Sequence, residues 1–438
     1  METAIIGAGF GGLAAAYELA KNGVKVTVFE SNKKAGGLAG GFYDGDWQWP
    51  LDYHYHHVFE TDQAVKSFLQ ELDLLDQLFY QTAETYTLLN RKVISMAKLD
   101  SAVSLLSFPD LSLFAKLRTG IVLASLKLFS YGDKLEHYTA QEFLIKTMGQ
   151  ESWEKLWEPL FKGKFDQKAT QINAAWFWAR IHSRSKRLGY FHKGFLGIAD
   201  QVVGKLKKMG VRFEFTTTVT EVKQLASEKG KHNSNQLLVI SDKSKQIFDQ
   251  AIFTGSSEQL IKLAGTQLPS AYAKHLKQLE SLAAITLVLV LDKPFFKENI
   301  YWLNINQAHW PFLAVVEHTN FIDRAKYNNQ HLVYVGKYLS VTDQHFKLSA
   351  SELLAIYQPY LEKLSPHFKK NLVGIHLFKQ EFAQPLVKKN HSLSLPKIET
   401  PLSNLYWVGM QHVYPYDRGI NYALQLGRDA AQKILHHK

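Results

Sequence analysis

Between Leu51 and Phe59 the chain reads LDYHYHHVF, three histidines and two tyrosines within nine residues. Imidazoles so placed can ligate a metal, move protons, or join an aromatic wall around a bound group. On an extended backbone His54 and His56 share one face, while Tyr53, Tyr55 and His57 take the other. A metal site needs a third ligand and supporting hydrogen bonds, and no cysteine exists to supply one. No metal is expected. His56 and His57 are left as candidate groups against a cofactor or substrate, able to hydrogen-bond or to carry a proton. Satisfaction by the local backbone is the plain alternative.

The second constellation is Gly7-x-Gly9-x-x-Gly12. It follows the apolar pair Ile5-Ile6 and precedes Leu13, Ala16, Tyr17, Leu19 and Ala20, whose three-and-four spacing makes a helix face ended at Asn22-Gly23. Val24, Val26 and Val28 then alternate through a strand, so a βαβ unit with a parallel pair is predicted. The first glycine permits the tight turn, the second admits a pyrophosphate to the backbone, and the third lets helix pack on strand. The helix N-terminus faces the phosphate charge. Glu30 ends the second strand, where a carboxylate can take both hydroxyls of an adenosine ribose and would repel a 2′-phosphate. FAD or NAD is thereby favoured over NADP.

These residues need elements to hold them. A chain of 438 residues, 46% hydrophobic and 21% charged, predicts a well-cored fold of one large domain or two to three interleaved ones. The absence of cysteine excludes disulfides, thiolate metal sites and a flavin tethered through a thioether, and suits a reducing compartment. Met1 leads straight into Ala4–Ile6, so no secretory signal is expected. The longest apolar run, Leu111–Tyr131, is cut by Lys116, Arg118 and Lys127, too polar to span a membrane. The expected location is cytoplasmic, with peripheral contact to the inner face of a membrane as its variant. A net charge of +11 suits anionic lipid or an acidic substrate. The basic residues are scattered and form no nucleic-acid module, so no nucleic acid is expected as partner.

Along the chain, residues 61–190 read as helical, with a capping box at Thr139–Phe143. GIADQVVGKLKKMGVRFEFTTTVTEV returns to helix, glycine stop and strand, and residues 256–400 mix helices with strands such as Ala284–Leu291 and His331–Tyr338. The last stretch, from Asn404, reads as strand, loop and helix. An α/β fold follows, with a Rossmann-like dinucleotide domain built from 1–60, 191–255 and 401–438. The substrate part takes a helical piece from 61–190 and a sheet piece from 256–400.

A second glycine pair, Gly36-Gly37, follows Glu30, and Gly419 and Asn421 open the last helix. With these the chain resembles the flavin-containing amine oxidase, protoporphyrinogen oxidase and phytoene desaturase superfamily over nearly its whole length. The resemblance implies a glutathione-reductase-type FAD domain interrupted by a mixed α+β substrate domain, with FAD bound noncovalently. It places Gly7, Gly9, Gly12, Glu30, Lys34, Gly36, Gly37, Leu38, Val219, Gly409, Met410, Gly419 and Asn421 at the cofactor. Lys34 stands where the family usually has arginine, keeping a cation near the pyrophosphate without the bidentate fork. Met410 stands where an acidic residue often contacts the flavin. The stretch around His56 and His57 would pass the isoalloxazine ring.

The lysine that amine oxidases of the superfamily hold near flavin N5 would fall on Thr286, and a member of their aromatic cage near Gly419, so amine oxidation loses ground. Desaturase and protoporphyrinogen-oxidase types take large apolar substrates from membranes. The segment Ser101–Tyr131 could lie in a bilayer surface or form a core-facing helix, which periodicity alone does not separate. The resulting expectation is hydride transfer from a hydrophobic substrate to the flavin, with oxygen or a quinone as electron acceptor. The UDP-galactopyranose mutase type is the alternative, with Arg180, Arg184, Arg187 and Arg418 available for a substrate diphosphate and Arg180 the candidate at the site. A flavin-bound protein without turnover is a further alternative.

Overall fold

Ile5 and Ile6 lie in a buried strand, Glu2–Ile6, and the valine alternation builds its parallel neighbour Lys25–Phe29. The computed structural model describes the chain except for residues 90–94, 100, 226–235, 308 and 437–438. Five parallel strands form one sheet, in the order Arg212–Glu214, Lys25–Phe29, Glu2–Ile6, Gln250–Phe253 and Leu405–Trp407. Three distant parts of the chain therefore meet in a single sheet.

Its two faces are covered differently. Ile5, Val26 and Val28 pack with the helices Phe10–Lys21, Gly194–Lys208 and Ile420–His436. Ala4, Ile6 and Phe29 point the other way. They meet Val222, Leu237 and Val239 of an antiparallel meander, Val219–Gln224, Leu237–Ser241 and Lys245–Phe248. This is the period-two logic of a strand buried on both sides.

A second sheet has seven strands, in the order Leu372–Pro385, Ser281–Leu291, His331–Leu339, Ala314–Glu317, Trp302–Ile305, Thr85–Leu88 and Met96–Lys98. Along Ser281–Leu291, Ile285, Leu287 and Leu289 face the core under the helix Ala350–Leu364. Val288 and Val290 join the core of the parallel sheet instead, while Leu282 and Ala284 meet the helical region. That even-numbered face, carrying Thr286, is turned toward the first sheet.

The stretch 61–190 is not wholly helical. It supplies the strands Leu78–Thr82, Thr85–Leu88 and Met96–Lys98, and Thr85–Leu88 has the β-branched and aromatic residues that favour a pleated, half-buried surface. Its helices gather around Trp153, Phe161, Phe165, Trp176 and Trp178. The expected capping box is present, with Thr139 Oγ1 accepting the Glu142 N–H at 3.1 Å and Glu142 Oε2 accepting the Thr139 N–H at 2.8 Å.

The helix Leu113–Leu128 has two apolar faces, one packed on the core and one exposed. Ala115, Thr119 and Leu126 are buried, whereas Leu113, Phe114, Leu117, Ile121 and Leu128 are exposed. At 3.6 residues per turn these five fall within an arc of about 100°. Lys116 and Lys127 flank one side of the arc and Arg118 the other. No helix among the described residues is long and apolar enough to cross a membrane.

Candidate active site

The first glycine turn folds as its spacing requires. Gly7 sits at φ +109° and donates its N–H to Phe29 O at 2.8 Å. A Cβ on Gly12 would fall 2.0 Å from Gly7 O, so the fingerprint helix starts in backbone contact with the turn. The second glycine pair lies directly against the first. Gly36 N–H bonds Ala8 O at 2.9 Å, and a Cβ on Gly37 would stand 3.1 Å from the Cα of Gly9. Two glycine segments remote from each other in the turn's local sequence thus make one floor without side chains. Leu38 continues it in a short 3-10 turn, Gly37–Ala39.

Glu30 is buried beside this floor. Its Oε2 accepts the Ala8 N–H at 2.8 Å, and Oε1 accepts the Asn32 N–H at 2.9 Å and the Asn32 side chain at 2.8 Å. A carboxylate has about four acceptor positions, so Oε2 keeps capacity for a ligand hydroxyl. The strand carrying Val219 is reached through Thr217, whose N–H bonds Glu30 O at 2.9 Å. Lys34 turns to solvent, where its ammonium pairs with Asp200 at 2.9 Å.

Past the glycine floor the backbone is held by Tyr53 N–H to Gly40 O at 3.0 Å, and Asp52 anchors the start of the histidine row. Asp52 is buried. It accepts the Tyr190 O–H at 2.8 Å and the Phe195 N–H at 3.2 Å, and its own carbonyl accepts the Tyr334 O–H at 2.8 Å. Burial drives the Asp52 carboxyl up to about 8, against the pull of the Tyr190 and Phe195 donors. One residue so joins the row to the helix Gly194–Lys208 by its side chain and to the second sheet by its carbonyl.

The row itself is not an extended strand. Leu51–Asp52 and Val58–Phe59 are short strands with an irregular run between them, so the alternation expected for the histidines fails. His54 Nδ1 bonds Thr286 Oγ1 at 2.7 Å, so Thr286 stands against the row. Tyr55 lies edge-on to Trp302 at 4.9 Å and over Gly336, where a Cβ would meet its hydroxyl at 3.0 Å. His56 packs on Phe195 at 5.4 Å and His57 on Phe59 at 5.0 Å. The Nδ1 atoms of both are buried without a partner. Burial lowers all three imidazoles, His54 to about 3, His56 to about 4 and His57 to about 3. Arg418 adds to this at His54 and His56, and Arg184 and Arg180 at His57. The rings are neutral at physiological pH. They are hydrogen-bonding groups with free ring nitrogens rather than proton stores.

The closing loop comes in from the C-terminal side. A Cβ on Gly409 would lie 2.6 Å from Gly255 O, so the loop leaves its strand against the preceding one. Met410 lines a small cavity with Trp176, Gln384, Tyr416, Asp417 and Arg418. Gly419 precedes the helix Ile420–His436, and a Cβ there would stand 4.0 Å from the Tyr422 ring. The side chain of Asn421 does something its position did not advertise. Its Oδ1 accepts the Ala64 N–H at 2.9 Å and the Val65 N–H at 3.3 Å, capping the helix Gln63–Glu71 whose own Asp62 makes no cap bond.

Arg180 donates to Asp417 at 2.8 Å, and Lys164 donates to the same oxygen at 2.7 Å. Arg187 belongs elsewhere, paired with Glu60. Lys164 and Asp417 were not among the candidates from sequence. The lone local signal is a lysine set among the aromatics of WEPLFKGKF, and its partner lies far along the chain. Among the described residues no three histidine, aspartate or glutamate groups converge as a metal set.

Residues 10–435 match the family model for flavin containing amine oxidoreductases. The chain belongs to this family. This flavin amine oxidoreductase is 26% identical to protoporphyrinogen oxidase 2 of Arabidopsis thaliana over 162 residues, 36% of this chain and 32% of that protein. The aligned part therefore spans about a third of that relative's length. A putrescine oxidase solved with putrescine has the same fold, with a TM-score of 0.74 at 17% identity, covering 100% of this chain and 99% of the other. A reduced UDP-galactopyranose mutase is as similar in shape, with a TM-score of 0.74 at 15% identity, covering 100% and 96%. The mixed α/β architecture with its parallel sheet is that of the family's oxidoreductases.

Proposed function

We propose that this chain is an FAD-dependent dehydrogenase, of desaturase or oxidase type, acting on a hydrophobic substrate drawn from a membrane surface. The observation that carries the cofactor assignment is the double glycine floor, Gly9 on Gly37, beside the N-terminus of Phe10–Lys21. It leaves backbone N–H groups and a helix dipole open to a pyrophosphate. Glu30 offers an acceptor to the adenosine ribose, and Gly419 opens a second helix N-terminus. Val219, Gly409 and Met410 would contribute backbone at the adenine and flavin ends. Lys34 would join them by leaving Asp200, a surface pair of little net strength. When bound, the flavin supplies a two-electron acceptor at N5, with oxygen or a quinone reoxidising it.

The chain's own residues orient and dry the reacting centre. Tyr55 and Trp302, with the buried Tyr334 packed against Tyr55, present aromatic surface to an apolar substrate. His56 and His57, neutral and with free Nδ1 atoms, can hydrogen-bond the flavin edge or the substrate. Thr286 is tied to His54, so no side-chain amine stands at that position on the sheet. The exposed face of Leu113–Leu128, flanked by Lys116, Arg118 and Lys127, suits an anionic bilayer as its occupant, by both apolar area and charge. The location proposed is cytoplasmic, peripheral on the inner face of a membrane.

The purified protein should be yellow and release FAD, identified by mass, on acid precipitation. Anaerobic mixing with a membrane lipid extract should bleach the flavin absorbance. Release of FMN, flavin that stays with the denatured chain, or a purified protein that takes up no flavin would overturn the assignment. A nucleotide-sugar reading draws support from Arg180 and Arg418 both lying against Asp417. It requires the dithionite-reduced protein to be quenched by UDP-galactose and the lipid extract to leave the oxidised flavin untouched.

A further inference from the structure

Lys164, Arg180 and Arg418 converge on one carboxylate. Asp417 Oδ2 accepts Lys164 Nζ at 2.7 Å and Arg180 Nη1 at 2.8 Å. Its Oδ1 accepts the Arg418 N–H at 3.1 Å and the Gln384 amide at 3.5 Å, with the Arg418 guanidinium at 3.7 Å. Among the described residues the ion pairs of all three cations run to this aspartate alone. Its acceptor positions are taken, and with every group ionised two positive charges stay uncompensated.

These charges are only partly open to solvent: the side chains of Lys164, Asp417 and Arg418 are 11%, 19% and 27% exposed, and that of Arg180 is 43% exposed. Aromatic rings enclose them, with Lys164 Nζ 5.0 Å from the Trp176 ring and 5.7 Å from that of Tyr338, and the Arg418 guanidinium 5.0 Å from Tyr338. The guanidinium of Arg418 also donates to the Gln384 carbonyl oxygen and the Tyr338 hydroxyl, so it is held in place. Excess charge of one sign in such surroundings is unfavourable unless a partner answers it. The indole N–H of Trp176, which lines the cavity with Asp417 and Arg418, is buried with no acceptor. Burial and the two arginines also pull Lys164 down to about 7, against Asp417, so an incoming anion would hold it protonated.

The cluster adjoins the histidine row. Thr286, bonded to His54, is paired with Gly336, and two residues further along that strand Tyr338 holds the Arg418 guanidinium. A molecule lying along the row can therefore put one end among the cations. An ammonium end would be repelled there, and an oxyanion drawn in.

We propose that Lys164, Arg180 and Arg418 form an oxyanion subsite, and that the substrate is an apolar molecule with a carboxylate or phosphate at one end rather than an amine. This extends the proposed function and rests on it for the placement of the reacting centre, while the subsite itself can be tested apart from the flavin. The probes are decanoate, decyl phosphate, decylamine and 1-decanol, titrated by calorimetry into the purified flavin-loaded protein at constant ionic strength. One or both anionic probes should bind about tenfold or more tighter than decylamine and 1-decanol. Comparison of the two anions separates a carboxylate head from a phosphate. R180Q, at the most exposed cation of the three, should weaken the anionic probe about tenfold and leave 1-decanol unchanged. R418Q should do the same, and R180Q keeps the test open should R418Q not fold. Decylamine binding as tightly as decanoate, or anion affinity indifferent to R180Q, would overturn the subsite. Neither result depends on the flavin's identity, so a failure of the FAD assignment is read separately, from the released cofactor.

Discussion

Histidines 54, 56 and 57 show how a residue's chemistry is set by where it is put. In water each would titrate near 6.5, but burial holds them neutral to about 3 or 4. His318, His391 and His412 are depressed in the same way, to about 3, 4 and 4. The consequence for stability has a definite sign. Between about pH 6.5 and 4 the unfolded chain binds protons that these folded imidazoles refuse, so their contribution lowers stability as pH falls through that window. Asp52 and Asp62, raised to about 8 and 6 by burial, oppose this, since they favour the folded state in acid. Six histidines outweigh two aspartates. The thermal unfolding midpoint should therefore drop from pH 6.5 to pH 4, and His318→Phe, which removes one buried titrating ring, should make the slope shallower. A midpoint constant over that range would show that these imidazoles are not held neutral.

At the scale of elements, the crossing of Phe10–Lys21 with Ile420–His436 ties the two ends of the chain together beside the glycine floor. It depends on Gly427, where a Cβ would fall 2.0 Å from Gly11 O, and on Gly11, where one would stand 3.2 Å from Ala423 O. Two glycines let the backbones touch, as only residues without a Cβ can. Glycine to alanine inside a helix normally gains about 1 kcal/mol from propensity. Gly204, in the helix Gly194–Lys208 with nothing within 4 Å of its would-be Cβ, should behave that way. Gly427→Ala should show the opposite sign, because a backbone oxygen cannot step aside, with a loss of about 1–3 kcal/mol. Denaturant unfolding of the two variants side by side checks this, and flavin retention should fall only in Gly427→Ala. Equal stabilisation of both would mean the helices are not in contact.

For the molecule as a whole, the distribution of exposed apolar side chains is uneven. Val103, Leu106, Leu113, Phe114, Leu117, Ile121, Leu128 and Phe129 are all at least 50% exposed and lie within one short part of the chain. Contiguous apolar surface of this kind marks a contact with something else. The anionic bilayer proposed as its occupant makes a test that uses the flanking Lys116, Arg118 and Lys127 and the net charge of +11. The protein should co-sediment with vesicles of phosphatidylcholine and phosphatidylserine, less so as salt rises. Phe114→Ser with Ile121→Ser should abolish sedimentation while thermal stability stays unchanged, since both side chains are 71% exposed or more. Sedimentation that persists in the double variant would move the contact elsewhere.

The glycine fingerprint, its helix and Glu30 were legible in the sequence because strand, turn, helix and strand follow one another within about thirty residues. The capping box at Thr139 was legible for the same reason. The histidine row stood out by composition, but its shape did not follow from it. Alternation holds only on an extended backbone, and the chain leaves its strand after Asp52 and bends at Tyr53 and His54. The cap that Asn421 Oδ1 places on the helix Gln63–Glu71 joins residues more than 350 apart, and no local spacing announced it. For Leu113–Leu128, periodicity gave a helix with apolar residues on both sides, and only packing decided which side the core would take. Least legible of all was the cation cluster. Lys164 and Asp417 are 253 residues apart, and a pairing that long is made by the folding of helices and closing loop onto the same sheet edge, not by any spacing along the chain.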